Sequence, residues 1–199
     1  MSDWPTGKYG AILCDPPWSF KTWSVFKPLS SGGTTRAVER YYKTMDAKDL
    51  AGLPVRDIAE ENCSLFLWIC WPSLVEAMAL IDAWGFTYKT CAFSWMKARA
   101  SQIDMFREDN DVQVGLGYWT RANSEVCLLA TRGKPKRLNA DVRQGIIEPR
   151  REHSRKPDCV YERIERLVEG PYLELFARTQ RPGWTAWGNE TDKFVSVVA

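Results

Sequence analysis

No stretch of about eighteen apolar residues occurs in this sequence, so nothing in it is long enough to cross a bilayer as a helix, and no membrane partner is expected. The longest apolar run, Leu65–Trp71, is the length of one buried strand. Histidine is nearly absent: His153 is the only one, which leaves a histidine-dependent nucleophile triad a single candidate base. The six cysteines, at 14, 63, 70, 91, 127 and 159, form no Cys-x-x-Cys pair. A structural zinc site needs clustered Cys and His ligands, so no metal is expected. The Gly-x-Gly-x-x-Gly and P-loop fingerprints are missing too; Gly115-Leu116-Gly117 is too short a match, which removes the nicotinamide-dinucleotide and P-loop readings. The first ten residues lack the basic start and apolar stretch of a signal peptide, so a cytoplasmic protein is expected. An excess of either charge is also lacking. Lys and Arg number 27 against 25 Asp and Glu, a balance that neither demands nor excludes a nucleic-acid partner.

What is present is ordinary globular material: 199 residues, 45% hydrophobic and 26% charged, with no repeat, low-complexity tract or linker. One domain spanning residues 1–199 is expected. Cysteines within AILC, LWIC and VCLLA read as small, reduced core residues. Short apolar runs alternate with helical periods. Gly10–Cys14, Ser64–Cys70, Phe86–Lys97, Ser124–Thr131, Tyr172–Ala177 and Trp184–Gly188 read as strands. Asp46 caps a helix reaching Ala59, which Pro54 should break or kink. Ser73 and Glu76 have the spacing of a capping box for a helix that Gly85 stops. Pro157 opens a helix with Val160, Tyr161, Ile164, Leu167 and Val168 on one face, closed by Gly170. Ala98–Asn123 has no clean period and reads as a long loop. Strands alternating with crossover helices predict an α/β fold, a mostly parallel twisted sheet with helices on both faces. Ligands in such sheets sit beyond the carboxyl ends of the strands. That rule points to the loops after Cys14, around Ser154–Lys156 and after Ala177.

The first of those loops is chemically specific. Asp15-Pro16-Pro17-Trp18 follows a buried strand directly. Two consecutive prolines remove two backbone donors and stiffen the turn, leaving fixed carbonyl acceptors. Asp15 adds a carboxylate and Trp18 a flat indole, a pocket suited to a planar group bearing an NH2. The alternative is a strand-ending turn with a structural tryptophan.

The wider pattern is more specific than the tetrapeptide. CDPPW at 14–18, YYKTM at 41–45, LFLWIC at 65–70, GYWTRANSEVCLLATRGKP at 117–135, HSRKPD at 153–158, ELFAR at 174–178 and WTAWGNE at 184–190 resemble, in order and spacing, the MT-A70 family of adenine-N6 methyltransferases. The similarity runs from about Lys8 to Asp192, and the ending looks closer to compact bacterial or phage members than to large eukaryotic RNA-methylating subunits. The resemblance implies a Rossmann-like methyltransferase fold and S-adenosyl-L-methionine-dependent transfer of methyl to the exocyclic amine of adenine. It implies a catalytic turn of Asp15, Pro16, Pro17 and Trp18. It implies cofactor contacts from Cys14, Asp15, Lys156, Phe176, Arg178, Asn189 and Glu190, with Lys156 meeting the methionine carboxylate and Asn189 and Glu190 the ribose. Plainer roles stay open: Lys156 near a helix start, Arg178 in a surface ion pair, Asn189 in a turn. Few residues precede Asp15, so the cofactor's adenine is expected to be held mostly by C-terminal residues or in a different way.

The target is expected to be a polymer, with DNA favoured because compact relatives usually modify DNA. RNA and a catalytically silent nucleic-acid-binding partner subunit remain as alternatives, and a homodimer is compatible with the sequence. Lys21–Tyr42 interleaves cations, among them Arg36 and Arg40, with aromatics including Tyr42 around a Ser30-Ser31-Gly32-Gly33 centre. That composition fits a loop ordering over a strand and its flipped base, against a merely disordered insertion. Trp119 suits the target-strand mouth or core packing. Trp68, Trp71, Trp84 and Trp187 read as packing residues. Basic clusters at Arg132–Arg137 and at Arg150, Arg151, Arg155 and Lys156 could flank the catalytic mouth as a phosphate track, the plainer reading being solvated loops.

Overall fold

The computed structural model describes residues 3–19, 44–98, 119–152 and 154–194. Among the described residues seven strands form one sheet: β1 (Tyr9–Cys14), β2 (Ala59–Ile69), β3 (Thr87–Ala98), β4 (Ser124–Arg132), β5 (Gly145–Pro149), β6 (Tyr172–Leu175) and β7 (Trp184–Trp187), in the order β5-β3-β4-β2-β1-β6-β7. β1 lies parallel to β2 and β6, β6 to β7, and β3 to β5. β4 alone is reversed, antiparallel to β2 and β3. Every residue of β1 is buried because both faces of the sheet are covered, which is why this strand reads as a continuous apolar run. Ile12 and Cys14 face a core closed by Leu50 of α1 (Ala47–Ala51), Val55 and Ile58 of α2 (Val55–Ile58), and Ala77, Leu80 and Ile81 of α3 (Leu74–Ala83). Ala11 and Leu13 face a second core with Trp68, Phe93, and Val160 and Ile164 of α4 (Cys159–Leu167). Helices thus cover both faces, as the alternation predicts. Among the described residues no helix is long and apolar enough to cross a membrane.

Several local expectations change. The Asp46–Ala59 helix is two helices. Asp46 does cap, its Oδ1 accepting from Asp49 N–H at 2.7 Å, but the chain breaks at Pro54, which has no N–H to continue the ladder. Ser73 makes no side-chain cap; its hydroxyl sits 3.2 Å from Cys70 Sγ, and a single 3-10 turn, Trp71–Ser73, precedes α3. Gly85 does stop α3, at φ +78°, where a side chain would be strained. β2 is longer than its apolar centre because its pairing with β1 begins at Ala59. α4 starts at Cys159 and ends before Gly170, since Val168 is already extended. The short edge strand β5 carries only one fully buried residue, Ile146, and so left no apolar signature.

Because β4 is reversed, its amino end joins the carboxyl ends of the other six strands on one edge of the sheet. Arg132, at the other end of β4, pairs with Cys63 near the start of β2. β4 has nine residues, so the Arg132–Arg137 run lies roughly 26 Å from that edge. It does not flank the mouth near Asp15, which corrects the phosphate-track expectation for this cluster. Arg150 and Arg151 follow β5 at the carboxyl edge. Lys21–Tyr42, with Arg36, Arg40 and Tyr42, most of Ala98–Asn123, and His153 lie outside the described residues.

Candidate active site

β1 delivers Asp15 to the carboxyl edge, and the two prolines fold the chain back at once. Pro16 O accepts the Trp18 N–H at 2.8 Å and Pro17 O accepts the Met45 N–H at 3.0 Å. Each carbonyl oxygen keeps a second lone pair. Trp18 is 7% exposed and packs in the core on the α1–α3 side, with its indole N–H donating to Trp68 O at 2.9 Å. It locks the turn onto β2. The structure therefore corrects the expectation of an open indole face: this tryptophan is a packing anchor. Cys14 is likewise fully buried, and burial pushes its thiol well above the usual range, so its side chain is not offered to a ligand.

The charged floor is built from four chain segments. Lys156, in the loop before α4, places Nζ 2.7 Å from Asp15 Oδ2 and 3.2 Å from Glu125 Oε2. Glu125, at the start of β4, is also paired with Lys97 of β3. Burial alone would raise the Glu125 carboxyl, but Lys156 and then Lys97 overcome it and hold it down to about 2. Burial works against the Lys156 charge, yet Asp15 and Glu125 outweigh it and carry the ammonium above the ordinary lysine range. A cleft on the α4 side is lined by Asp15, Trp68, Lys156, Glu174, Phe176 and Arg178, among others. Glu174 accepts a hydrogen bond from Tyr161 OH at 3.0 Å. Its burial raises the carboxyl to about 8, against the lowering effect of that hydrogen bond and with a push from Asp15.

A second cleft, on the α1 side, is lined by Pro17, Met45, Asp49, Phe176, Trp187, Gly188 and Asn189. Phe176 lines both clefts and holds φ at +61°, a left-handed conformation that costs a non-glycine residue energy and clusters at functional sites. A Cβ on Gly188 would stand 2.5 Å from Ala177 O and 3.1 Å from Phe176 C, so the segments after β6 and β7 touch backbone to backbone. Glu190 accepts from Lys193 at 2.7 Å and lies 3.8 Å from Arg178 Nε.

The structure thus gathers Asp15, Lys156, Phe176 and Arg178 around one cleft, and puts Asn189 with Pro17 in the adjoining one. Trp119 is 96% exposed, at the lead-in to β4; core packing is excluded for it. Trp71 is also no core residue, being 53% exposed. Sequence reasoning missed Glu125 and Glu174. An acid between Leu173 and Leu175 in an otherwise apolar strand was a legible signal for Glu174; Glu125 had none, because its partners come from distant segments. Chemically, the cleft offers carboxylates and cations side by side, the combination a zwitterionic amino-acid moiety needs. Trp68 adds, on the same lining, a buried indole N–H that has no hydrogen-bond partner among the described residues. This donor and acceptor set fits S-adenosylmethionine.

Comparison with known proteins agrees. The MT-A70 family model matches residues 9–190. The chain is 30% identical over 198 residues to the Type II methyltransferase M.MunI of a Mycoplasma species, covering 94% of this chain and 79% of that protein. It is 26% identical to the human N(6)-adenosine-methyltransferase catalytic subunit METTL3, covering 94% of this chain and 29% of that protein. It is 27% identical to a Drosophila melanogaster N(6)-adenosine-methyltransferase MT-A70-like protein, of which it spans 27%.

Proposed function

Because the chain belongs to the MT-A70 family, we propose that this methyltransferase uses S-adenosylmethionine to methylate the N6 amine of adenine in DNA. The carrying observation is Asp15, on a proline-stiffened turn at the carboxyl edge, ion-paired to Lys156 in a cleft that Arg178 also lines. DNA is favoured over RNA by proportion: the chain matches M.MunI across most of both lengths, but METTL3 across less than a third of its length. A silent partner-subunit role is disfavoured by the intact Asp15, Lys156 and Arg178 arrangement.

Bound S-adenosylmethionine supplies an electrophilic methyl on a sulfonium. Lys156 and Arg178 would hold its carboxylate end, and Asn189 and Glu190 its ribose. The exocyclic amine of adenine is a weak nucleophile because its lone pair is delocalised into the ring. Asp15 has one oxygen engaged by Lys156, which leaves Oδ1 to accept an amine N–H. The second lone pair of Pro16 O accepts the other N–H. Holding both hydrogens favours a pyramidal nitrogen and aims its lone pair, and such orientation supplies about 7–11 kcal/mol at best. The amine becomes acidic only as it gains the methyl, so no prior base is needed and Asp15 Oδ1 takes the proton afterwards. Trp119 and Arg150, exposed at this edge, suit a single-stranded stretch beside the target base.

The test is methyl transfer from labelled cofactor to matched DNA and RNA oligonucleotides, followed by nucleoside analysis. N6-methyladenine in DNA is expected, and Asp15→Asn should abolish it in a folded protein. N4-methylcytosine as the main product would reject the base assignment, and a predominant RNA product the polymer.

A further inference from the structure

Four charged side chains of alternating sign form a chain of contacts that ends on the reacting turn: Lys97, Glu125, Lys156 and Asp15. They come from β3, β4, the loop before α4 and the turn after β1, so only the folded sheet brings them together. Each is at least three-quarters covered. Lys156 and Asp15 serve the proposed reaction directly; Lys97 and Glu125 have no role in it so far. We infer that Glu125 is a positioning residue: braced by Lys97, it holds Lys156 so that Asp15 keeps one carboxylate oxygen for the target amine. The inference rests on the function proposed above.

An ammonium has three donors. Glu125 takes one and Asp15 another, which fixes the direction of the Lys156 side chain. Without Glu125, the ammonium keeps only Asp15 and the Trp68 ring, whose centre is 5.6 Å away, among its described contacts; a shift towards both Asp15 oxygens then goes unopposed by any charge, and the acceptor would be lost to the substrate. Glu125 stays ionised across any working pH, because Lys156 and Lys97 hold its carboxyl down despite burial. Lys97 matters as the brace. It also lies 5.2 Å from the centre of the Trp95 ring, which limits its own freedom.

The test compares wild type with Glu125→Gln and Lys97→Met. Steady-state methyl transfer gives kcat and the polymer KM, and 15N-lysine NMR follows the Lys156 ammonium, assigned with Lys156→Arg. Glu125→Gln should lower kcat roughly 10- to 100-fold with little change in polymer KM, as a misplaced catalytic group does. The Lys156 titration midpoint should fall towards the ordinary lysine value. Lys97→Met should lower kcat in the same direction by less, and it keeps the inference testable should Glu125→Gln fail to fold. Wild-type kcat in Glu125→Gln, or an unmoved Lys156 midpoint, overturns the inference. An inactive wild-type protein would sink the proposed reaction instead, while a fall in the midpoint would still support the clamp.

Discussion

Lys156→Met removes the cation that joins two carboxylates, and its cost follows from the pair itself. Moving the Glu125 carboxyl from 4.5 to about 2 corresponds to about 3 kcal/mol at neutral pH. Lys156 is the first of the two cations that overcome burial there, so it carries the larger share. Its own raised affinity for a proton is the same free energy seen from the other partner and is counted once. Leaving Asp15 and Glu125 short of a partner at low exposure adds a penalty, and about 3 kcal/mol is also the low end for breaking a buried pair. A chain of this size loses about 2–4 °C of Tm per kcal/mol, so the variant should melt roughly 6–12 °C below wild type at pH 7. A depressed carboxyl stabilises above its unfolded pKa and loses that contribution as pH falls through the folded value. The deficit should therefore shrink between pH 4.5 and 2. The raised ammonium keeps its contribution until pH exceeds 10.5, so the deficit should be flat between about pH 5 and 10. Urea unfolding of both proteins at pH 7, 4 and 3 reads the difference. A deficit below 1 kcal/mol at pH 7, or an equal deficit at pH 3, would refute the reasoning.

Glu174→Gln should change pH dependence in the opposite sense. The wild-type carboxyl is raised to about 8, so its stabilising protonated form is complete below pH 4.5 and lost as pH rises through 8, and the variant should outlast wild type in melts at pH 9. Gly188→Ala should destabilise by about 1–3 kcal/mol and weaken S-adenosylmethionine binding in calorimetry, because the new Cβ meets Ala177 O at 2.5 Å; an unchanged melt would show that this contact yields easily. Neutralising Lys134, Lys136 and Arg137 together should leave the salt dependence of DNA binding unaltered, whereas Arg150 and Arg151 changed to Gln should flatten it; the reverse result would move the polymer to the other edge of the sheet.

Apart from β5, the strand and helix order was legible because β1, β2 and α4 are buried in patterns that match their periods. The Asp15 turn stood out because a proline pair after an apolar strand has few structural uses, and its place after β1 followed from the apolar run before it. The reversal of β4 was not legible: an apolar strand covered on both faces reads the same in either direction, and the misplacement of Arg132–Arg137 followed from it. Trp18 was misread for a related reason. Local sequence shows an indole beside a proline turn, but the carbonyl that captures its N–H belongs to Trp68, fifty residues away. The ion pairs of Glu125 were invisible for the same cause, since its partners lie on β3 and before α4.

The parallel bridge between Trp18 and Met45, with Met45 N–H on Pro17 O, brings the Asp15–Trp18 turn and the residues leading into α1 to nearly the same point. Lys97 near the end of β3 and Asn123 just before β4 are neighbours in the same way, the Lys97 N–H donating to Asn123 O at 3.2 Å. Because each pair of ends is held together by described residues, closing the chain between them grows costlier only slowly with its length: doubling it costs only about 0.6 kcal/mol of closure entropy. The 20–43 and 99–118 intervals can therefore be lengthened at little cost to the fold. Chimaeras carrying a relative's intervals on this sheet should keep the reaction at Asp15 while its sequence preference travels with the graft.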